Sequence, residues 1–372
     1  MNFFITLSFL ILIVYGITII SFALGWFKLK YYKHLNNHAV RESVSIVIAC
    51  RNEEENIDNL IQSLLQQNYP KKNAEIIFVD DHSEDNTYKN LKKHAEKNNH
   101  IKIIQNPYKQ KGKKAALAYG IKHSSSKIIV TTDADCRMGT KWLSTLAEYY
   151  SIHKPNMIIA PVAIEPSTNI FARLQALEFT SLIISGAGAA GINKPIMCNG
   201  ANLLFEKSLF IENELHSNYA SGDDIFLMLQ AKKNYNKNIH FIKSKEAIVF
   251  TKPNHTLSDF FNQRIRWTSK SKAYRDFDII ITALMVAASN LLIVYWLINT
   301  IFRPYEWYIF VLLFVIKSLA NIFILIPGTK FFNQQKLLWL FFPLQLIYPF
   351  YIMVTTFCGW MANFSWKGRK LR

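Results

Sequence analysis

Hydrophobic residues are distributed along this chain in two distinct ways. Residues 3–27 carry no charge and are mostly Phe, Ile, Leu and Val, a run long enough to cross a hydrocarbon core of roughly 30 Å as one helix. Further long apolar runs lie at 278–302, 307–327 and 337–362. The intervening residues 28–276 are too polar to span a bilayer and numerous enough to bury a core of their own. The pattern predicts a globular domain between membrane-spanning segments.

The predicted boundaries are an N-terminal transmembrane helix at 1–27, a globular domain at 28–276 and a C-terminal region at 277–372. The C-terminal region is expected to contain about three transmembrane or re-entrant helices and a basic tail. No charge precedes the first apolar run, and Trp26 and Lys28 close it. We therefore expect a retained anchor rather than a cleaved signal peptide.

Two apolar segments allow more than one interpretation. Phe179 to Asn193 contains no charge but is short for a span, which suits either the protein core or a segment in the membrane interface. The last apolar run contains Pro343 and Pro349. Three full C-terminal crossings would also place the basic residues after Trp366 on the side opposite a cytoplasmic domain, against the positive-inside rule. A re-entrant or interfacial pair is therefore predicted there.

Within 28–276, short β-branched runs alternate with segments of helical periodicity. Strands are predicted at 44–50, 75–80, 101–104, 127–132, 157–163, 201–205 and 247–250. Helices are predicted after an Asn52 cap, from Asp85, over 113–123 and from Asp223. This alternation predicts a Rossmann-like α/β domain with a mixed, mostly parallel sheet, whose ligands bind at the carboxyl ends of the strands.

The composition narrows the possible partners. The formal net charge is +17, from 43 basic and 26 acidic residues. Because the lysines are spread through predicted loops and helix faces, we expect membrane lipids and a nucleotide diphosphate as anionic partners, and no nucleic acid. Lys28, Lys30, Lys33 and Arg41 follow the first span and place the globular domain in the cytoplasm, in a multi-pass protein of the inner (plasma) membrane. The four cysteines show no metal-ligand spacing.

Acidic residues stand where two of the predicted strands end. Asp80-Asp81 closes the second strand, and Asp133-Ala134-Asp135 follows the fourth. Two carboxylates at a strand end suit a divalent cation, Mg²⁺ or Mn²⁺, that bridges the phosphates of a nucleotide sugar. Lys113 begins a predicted helix, and helix N-termini attract phosphate. Each feature also has a plainer interpretation as a turn, a cap or a solvated lysine.

Two further motifs indicate an acceptor side. Asp223-Asp224 precedes a helical apolar pattern and either suits the helix dipole or supplies a general base for an acceptor hydroxyl. Gln263, Arg266 and Trp267 lie at i, i+3 and i+4 on one helical face, shortly before the C-terminal apolar runs. That face either presents a guanidinium to phosphate and an indole to a sugar ring, or consists of ordinary interfacial anchors.

In this order and at these strand ends, the motifs resemble those of the processive-type family 2 glycosyltransferases. These are membrane enzymes with a GT-A catalytic domain, and they include cellulose, hyaluronan and poly-N-acetylglucosamine synthases. Ceramide glucosyltransferases and bacterial lipid glycosyltransferases look similar. The resemblance covers roughly 40–270 and the flanking spans. It implies a GT-A fold for the globular domain, with one N-terminal and about three C-terminal transmembrane helices.

The resemblance also implies a role for each matching residue. The donor-binding residues would be Ala49, Arg51, Glu53, Asp81, Lys113 and Asp133, with Asp81 at the uracil. Asp135 would be the chief metal ligand, with Asp133 beside it. The acceptor and diphosphate side would comprise Asn202 of Gly200-Ala201-Asn202, Gln263, Arg266 and Trp267. The catalytic pair would be Asp223 and Asp224, with Asp224 as the base. Asp223 departs from the family pattern, which often has Glu at that position.

The implied activity is a single inverting displacement from a nucleotide sugar, expected to be UDP-linked, to a lipid or membrane-associated glycan acceptor. A processive polysaccharide synthase is the alternative within the family. The few C-terminal spans leave little room for a polysaccharide channel, which favours a lipid acceptor. An inactive membrane scaffold is disfavoured, because a scaffold would not need to retain every acidic motif. A transporter is disfavoured too, because it would need broken helices in paired halves.

Overall fold

The computed structural model describes residues 2–35, 42–107, 112–210, 223–235, 238–361, 364–366 and 369–371. The chain forms two compact units. We call the first the helical unit; it comprises Met1–Lys28, Pro166–Ile196 and Pro253–Phe364. We call the second the sheet unit; it comprises Leu29–Glu165, Met197–Lys252 and Ser365–Arg372. The predicted globular domain at 28–276 differs from the sheet unit, because 166–196 and 253–276 belong to the helical unit.

The secondary structure alternates as the sequence predicts. The helices are α1 Asn2–Lys28, α2 Ile57–Leu65, α3 Thr87–Ala95, α4 Lys113–Lys122, α5 Trp142–His153, α6 Ile170–Gly191, α7 Asp223–Tyr235, α8 Leu257–Ser269, α9 Phe277–Phe302, α10 Trp307–Phe331 and α11 Phe341–Met361. The strands are β1 Val44–Cys50, β2 Ala74–Asp80, β3 Ile101–Gln105, β4 Ile128–Thr131, β5 Arg137–Met138, β6 Met157–Ile159, β7 Val162–Ile164, β8 Leu203–Glu206, β9 Ile239–Phe241, β10 Val249–Thr251, β11 Phe364–Trp366 and β12 Arg369–Leu371.

The main sheet of the sheet unit has seven strands in the order β3-β2-β1-β4-β8-β6-β9. Strand β8 runs antiparallel to β4 and β6, and the other neighbouring strands are parallel. Strands β5, β10 and β7 form a second sheet. The predicted mixed, mostly parallel sheet is therefore confirmed, and its carboxyl edge holds the ends of β1, β2 and β4 together.

Three local predictions were wrong. The strand predicted at 157–163 is two strands in different sheets, β6 and β7, separated at Pro161, which has no N–H to donate to a ladder. Asn52 does not cap α2, which begins only at Ile57; its side chain instead accepts a hydrogen bond from the backbone N–H of Glu84. The strand predicted at 201–205 begins as a 3₁₀ turn, Gly200–Asn202.

The helical unit contains more spanning candidates than the sequence predicts. Within the described residues, five helices are long and apolar enough to cross a membrane: Phe3–Lys28, Ile170–Gly191, Phe277–Phe302, Pro304–Phe331 and Gln335–Gly359. The additional one is α6, which starts well before the uncharged stretch at 179–193 because Asn169 caps it. Most of α6 is buried within the unit, in agreement with the core interpretation of that stretch.

The last apolar run forms one helix rather than a re-entrant pair. Helix α11 continues through Pro349, and Pro343 lies in its first turn, where a missing N–H costs nothing. The predicted break at these prolines is therefore absent from the described residues 341–361.

Helices α1 and α6 cross with their backbones in contact. A Cβ added to Gly188 would lie 1.9 Å from the carbonyl oxygen of Phe22, and one added to Gly25 would lie 2.0 Å from that of Gly188. Gly188→Ala is therefore expected to force the helices apart and destabilise the protein by about 1–3 kcal/mol. The unfolding midpoint in detergent measures the effect. Gly16→Ala is the matched control, because its Cβ would meet nothing within 4 Å, and equal midpoints for the two variants would disprove the crossing.

Candidate active site

The aspartates after β4 form the centre of the site in the sheet unit. The Lys113 ammonium, at the first residue of α4, donates to Oδ1 of Asp133 at 2.5 Å. The hydroxyl of Thr251, at the end of β10, donates to Oδ2 of Asp135 at 2.9 Å. The two carboxylates are thus held by two separate elements, α4 and β10. Their side chains are only partly buried, so a ligand can reach them.

Negative charge is concentrated at Asp135. Burial, together with the neighbouring carboxylates of Asp133 and Glu53, raises the pKa of Asp135 to about 6. No cluster of three or more His, Cys, Asp or Glu suited to a metal occurs in the described part of the chain. Magnesium-type sites often use only one or two carboxylates and complete their shell with water and substrate phosphate. The residues present therefore fit a divalent cation that is shared with a diphosphate.

The ends of β1 and β2 are tied together by Arg51 and Asp81. Arg51 is buried, and its Nη1 donates to the carbonyl oxygens of Asp81, at 3.0 Å, and His82, at 2.6 Å. The Asp81 carboxylate accepts from the side chain of Asn106 and from the backbone N–H of Gly112, both at 2.9 Å. Asp81 therefore anchors the start of α4, which carries Lys113.

Two other predicted donor residues lie on the same edge. Ala49 is in β1, where its half-buried position sets it apart from its fully buried neighbours. Glu53 follows β1, accepts from the side chain of Asn56 at 2.7 Å and lies close enough to raise the pKa of Asp135. The predicted contact of Asp81 with uracil stays a prediction; its two carboxylate oxygens each accept one hydrogen bond within the protein and each keep a further lone pair.

The candidate base Asp224 is connected to the same strand end. Its Oδ2 accepts the backbone N–H of Gly200 at 3.0 Å. The carbonyl oxygen of Gly200 in turn accepts from the hydroxyl of Thr131, the last residue of β4, at 2.8 Å. Gly200 therefore links Asp224 to the strand that leads into Asp133, through its N–H on one side and its carbonyl oxygen on the other. The side chain of Asp223 lies outside the described residues.

Asn202, which the resemblance assigns to the acceptor side, is buried in the sheet unit. Its side chain is fully buried, and its Oδ1 accepts from the indole of Trp142 at 2.9 Å. Its Nδ2 donates to the carbonyl oxygens of Pro161 and Ala247, each at 2.8 Å. The amide thus joins the strands around β7, β8 and β10, and its contact with an acceptor stays a prediction. Nothing in the sequence indicated that Trp142 would hold the Asn202 side chain in place.

Gln263, Arg266 and Trp267 lie on α8 in the helical unit. Gln263 accepts from the side chain of Asn254 at 3.0 Å, and both Arg266 and Trp267 are partly buried. Sequence reasoning missed Arg264, inside the same motif, which is buried against Glu178 of α6. Whether this helix and the aspartates act on one substrate stays a prediction.

Two family models match the chain. One described as glycosyl transferase family 2 matches residues 45–210. The other, described as glycosyl transferase family group 2, matches residues 128–358, which is more than half of the chain. This protein is a family 2 glycosyltransferase. The predicted family is thereby confirmed.

Sequence relatives of this glycosyltransferase include poly-β-1,6-N-acetyl-D-glucosamine synthases of two Staphylococcus species. It is 28% identical over 236 residues to a poly-β-1,6-N-acetyl-D-glucosamine synthase of Staphylococcus aureus strain COL, covering 61% of this chain and 54% of the relative. The enzyme of the same name from Staphylococcus epidermidis is 27% identical over 242 residues, covering 62% and 55%. The chain spans about half the length of the curated relatives it matches. With the spanning helices found in its described part, the glycosyltransferase is a membrane protein.

A solved structure shows the fold of this glycosyltransferase over nearly its whole length. The mannosyltransferase of Pyrobaculum calidifontis, in complex with GDP-Man and Mn²⁺, superposes with a TM-score of 0.58 at 16% identity. The match covers 95% of this chain and 96% of that one. The GT-A fold predicted from the motifs is confirmed.

The raised pKa of Asp135 predicts how the metal-free glycosyltransferase responds to pH. An unfolded Asp has a pKa of about 3.9, and Asp135 in the folded protein has a pKa of about 6. The folded protein therefore binds the proton more tightly than the unfolded chain does. This contribution to folding stability is fully present below about pH 3.9 and is lost as pH rises through about 6. Asp135→Asn cannot ionise. In EDTA it is therefore expected to unfold a few degrees above wild type near pH 7, and at the same temperature as wild type near pH 4. A difference in unfolding midpoint that does not depend on pH would contradict this assignment.

Proposed function

We propose that this glycosyltransferase moves a sugar from a UDP-linked donor to a membrane-associated acceptor in a single inverting displacement. The observation that carries the proposal is the joined arrangement of Lys113, Asp133 and Asp135 with Asp224, connected through Gly200 and Thr131. A cation site and a carboxylate beside one strand end are the two parts that this reaction requires.

The donor side follows from charge. Asp135, with Asp133, would hold a Mg²⁺ or Mn²⁺ ion. When the donor binds, the Lys113 ammonium would leave Asp133 and donate to the phosphates instead. The bound cation would act as a Lewis acid on the departing diphosphate. The Pyrobaculum mannosyltransferase, in complex with GDP-Man and Mn²⁺, supports a divalent cation here. Asp81, Arg51 and Glu53 would line the nucleotide pocket.

The acceptor side rests on Asp224. In the proposed step the acceptor oxygen attacks the anomeric carbon, the bond from that carbon to the UDP oxygen breaks, and the acceptor proton passes to Asp224. The N–H of Gly200 donates to Oδ2 of that carboxylate and the N–H of Ile225 donates to Oδ1, and each oxygen keeps a second lone pair that can take the proton. Gln263, Arg266 and Trp267 would then bind the acceptor sugar and the diphosphate.

The similarity to poly-β-1,6-N-acetyl-D-glucosamine synthases favours N-acetylglucosamine as the sugar and repeated addition as the outcome. A single addition to a lipid, the expectation from the C-terminal spans, is the second candidate. The catalytic unit would face the cytoplasm from the inner (plasma) membrane, as the lysines after α1 suggest.

The test uses the purified full chain in proteoliposomes with radiolabelled UDP-N-acetylglucosamine, UDP-glucose and GDP-mannose. We expect incorporation from UDP-N-acetylglucosamine that Mn²⁺ supports and EDTA abolishes. Gel separation of the product then distinguishes a ladder of oligomers from single addition to lipid. Folded protein that transfers no sugar from any of the three donors, or transfers it equally in EDTA, would refute the proposal.

A further inference from the structure

We infer that Glu178 and Arg264 form a buried ion pair whose role is to position Trp267 for the acceptor. The inference rests on the proposed function and adds two positioning residues to it. Glu178 lies on α6 and Arg264 on α8, both within the helical unit.

The pair has the geometry of a planar, two-pronged contact. Nε of Arg264 donates to Oε1 of Glu178 at 3.3 Å, and Nη2 donates to Oε2 at 2.5 Å. Each side chain is only 4% exposed, so the pair is almost fully removed from solvent. The hydroxyl of Tyr351, on α11, donates to the same carboxylate at 3.4 Å. Three helices therefore meet at Glu178.

Arg264 also contacts the outer members of the motif in which it lies. Its guanidinium carbon is 4.2 Å from the ring centroid of Trp267 and 4.6 Å from that of Phe260. Its Nη1 donates to Oε1 of Gln263. One guanidinium thus orients Gln263 and covers part of the Trp267 ring, while Trp267 stays partly exposed.

Energetics favour an orienting role over a purely stabilising one. Removing two charges from water costs several kcal/mol per ion, and apolar residues of similar size often replace such pairs with no loss of stability. A planar guanidinium, in contrast, fixes direction through its fork and its stacking face, which neither Lys nor an apolar side chain reproduces. The arrangement therefore sets the angle of the indole relative to α6.

The experiment compares Arg264→Gln, Arg264→Lys and the apolar double variant Glu178→Met/Arg264→Leu in proteoliposomes. Short β-1,6-linked N-acetylglucosamine oligomers serve as the added acceptor probe, with UDP-N-acetylglucosamine as donor. We expect kcat/KM for the oligomer to fall roughly 100-fold in all three, because small misplacements of a binding group cost about that much. UDP affinity should change less than about twofold, since the sheet unit is unaltered. Lys194→Gln, which removes a 60% exposed partner of Asp278, is the control and should match wild type.

The double variant keeps the test decisive if the single variants fold poorly. A merely structural pair predicts that the well-folded double variant regains the acceptor KM and kcat of wild type, and that result would overturn the inference. Wild-type protein that binds UDP but transfers sugar neither to the oligomer nor to lipid would instead count against the proposed function. Wild type and all variants transferring equally would refute the positioning role alone.

Discussion

Asp135→Ala is expected to lower sugar transfer by about 10³-fold or more, because the cation that it would hold stabilises the charge developing on the leaving diphosphate. The variant should stay folded, since the wild-type carboxylate sits in a partly buried site beside Asp133 and Glu53 and is electrostatically unfavourable without a metal. Initial rates of radiolabelled sugar incorporation in Mn²⁺ measure the loss, and the unfolding midpoint in EDTA verifies the fold.

Asp58→Asn provides the matched control for this experiment. Asp58 is an aspartate of the same unit, in the first turn of α2, 71% exposed and hydrogen-bonded to His94. Its replacement should leave the transfer rate within about twofold of wild type, as is usual for surface positions. Equal rates for Asp135→Ala and Asp58→Asn would remove Asp135 as the metal ligand.

Asp224→Asn is expected to lower transfer by about 10²- to 10⁴-fold through loss of the general base. An amide of the same shape can still accept the N–H of Gly200 through its oxygen, but it cannot take a proton from the acceptor. Binding of UDP, measured by isothermal titration in Mn²⁺, should therefore be unchanged. A loss of both binding and transfer would indicate a structural defect instead.

The neighbouring residue separates the two candidates for the base. Asp223→Asn removes a carboxylate of the same type at the first residue of α7 and is expected to retain most of the transfer activity. If Asp223→Asn were inactive and Asp224→Asn active, the base assignment would have to move by one residue.

Much of the sheet unit was predictable because its central strands β1, β2 and β4 are largely buried. The β-branched runs of β1 and β2 needed no partner to be recognised, and parallel pairing brings their polar ends to one edge. The contact of Lys113 with Asp133 follows from that topology. Strands as short as β5 and β9 show too few residues for any periodicity, and they were missed.

The helical unit was harder to predict because tertiary contacts decide it. The charges of Arg173 and Glu178 interrupt the apolar run of α6, so the segment seemed too short to span. Glu178 is tolerated there only because Arg264, far away in sequence, neutralises it. In the sheet unit, the buried position of Asn202 was equally hard to predict. Its side chain accepts a hydrogen bond from Trp142, which is distant in sequence, and the pattern of residues does not reveal such partners.

The anomeric configuration of the product, read by proton NMR from transfer of α-linked UDP-N-acetylglucosamine, tests the single displacement at Asp224 most directly. A β-linked product formed with one UDP released per sugar is the expected result. An α-linked product would require a second displacement or a different attacking face, and it would contradict the assignment of Asp224 as the base.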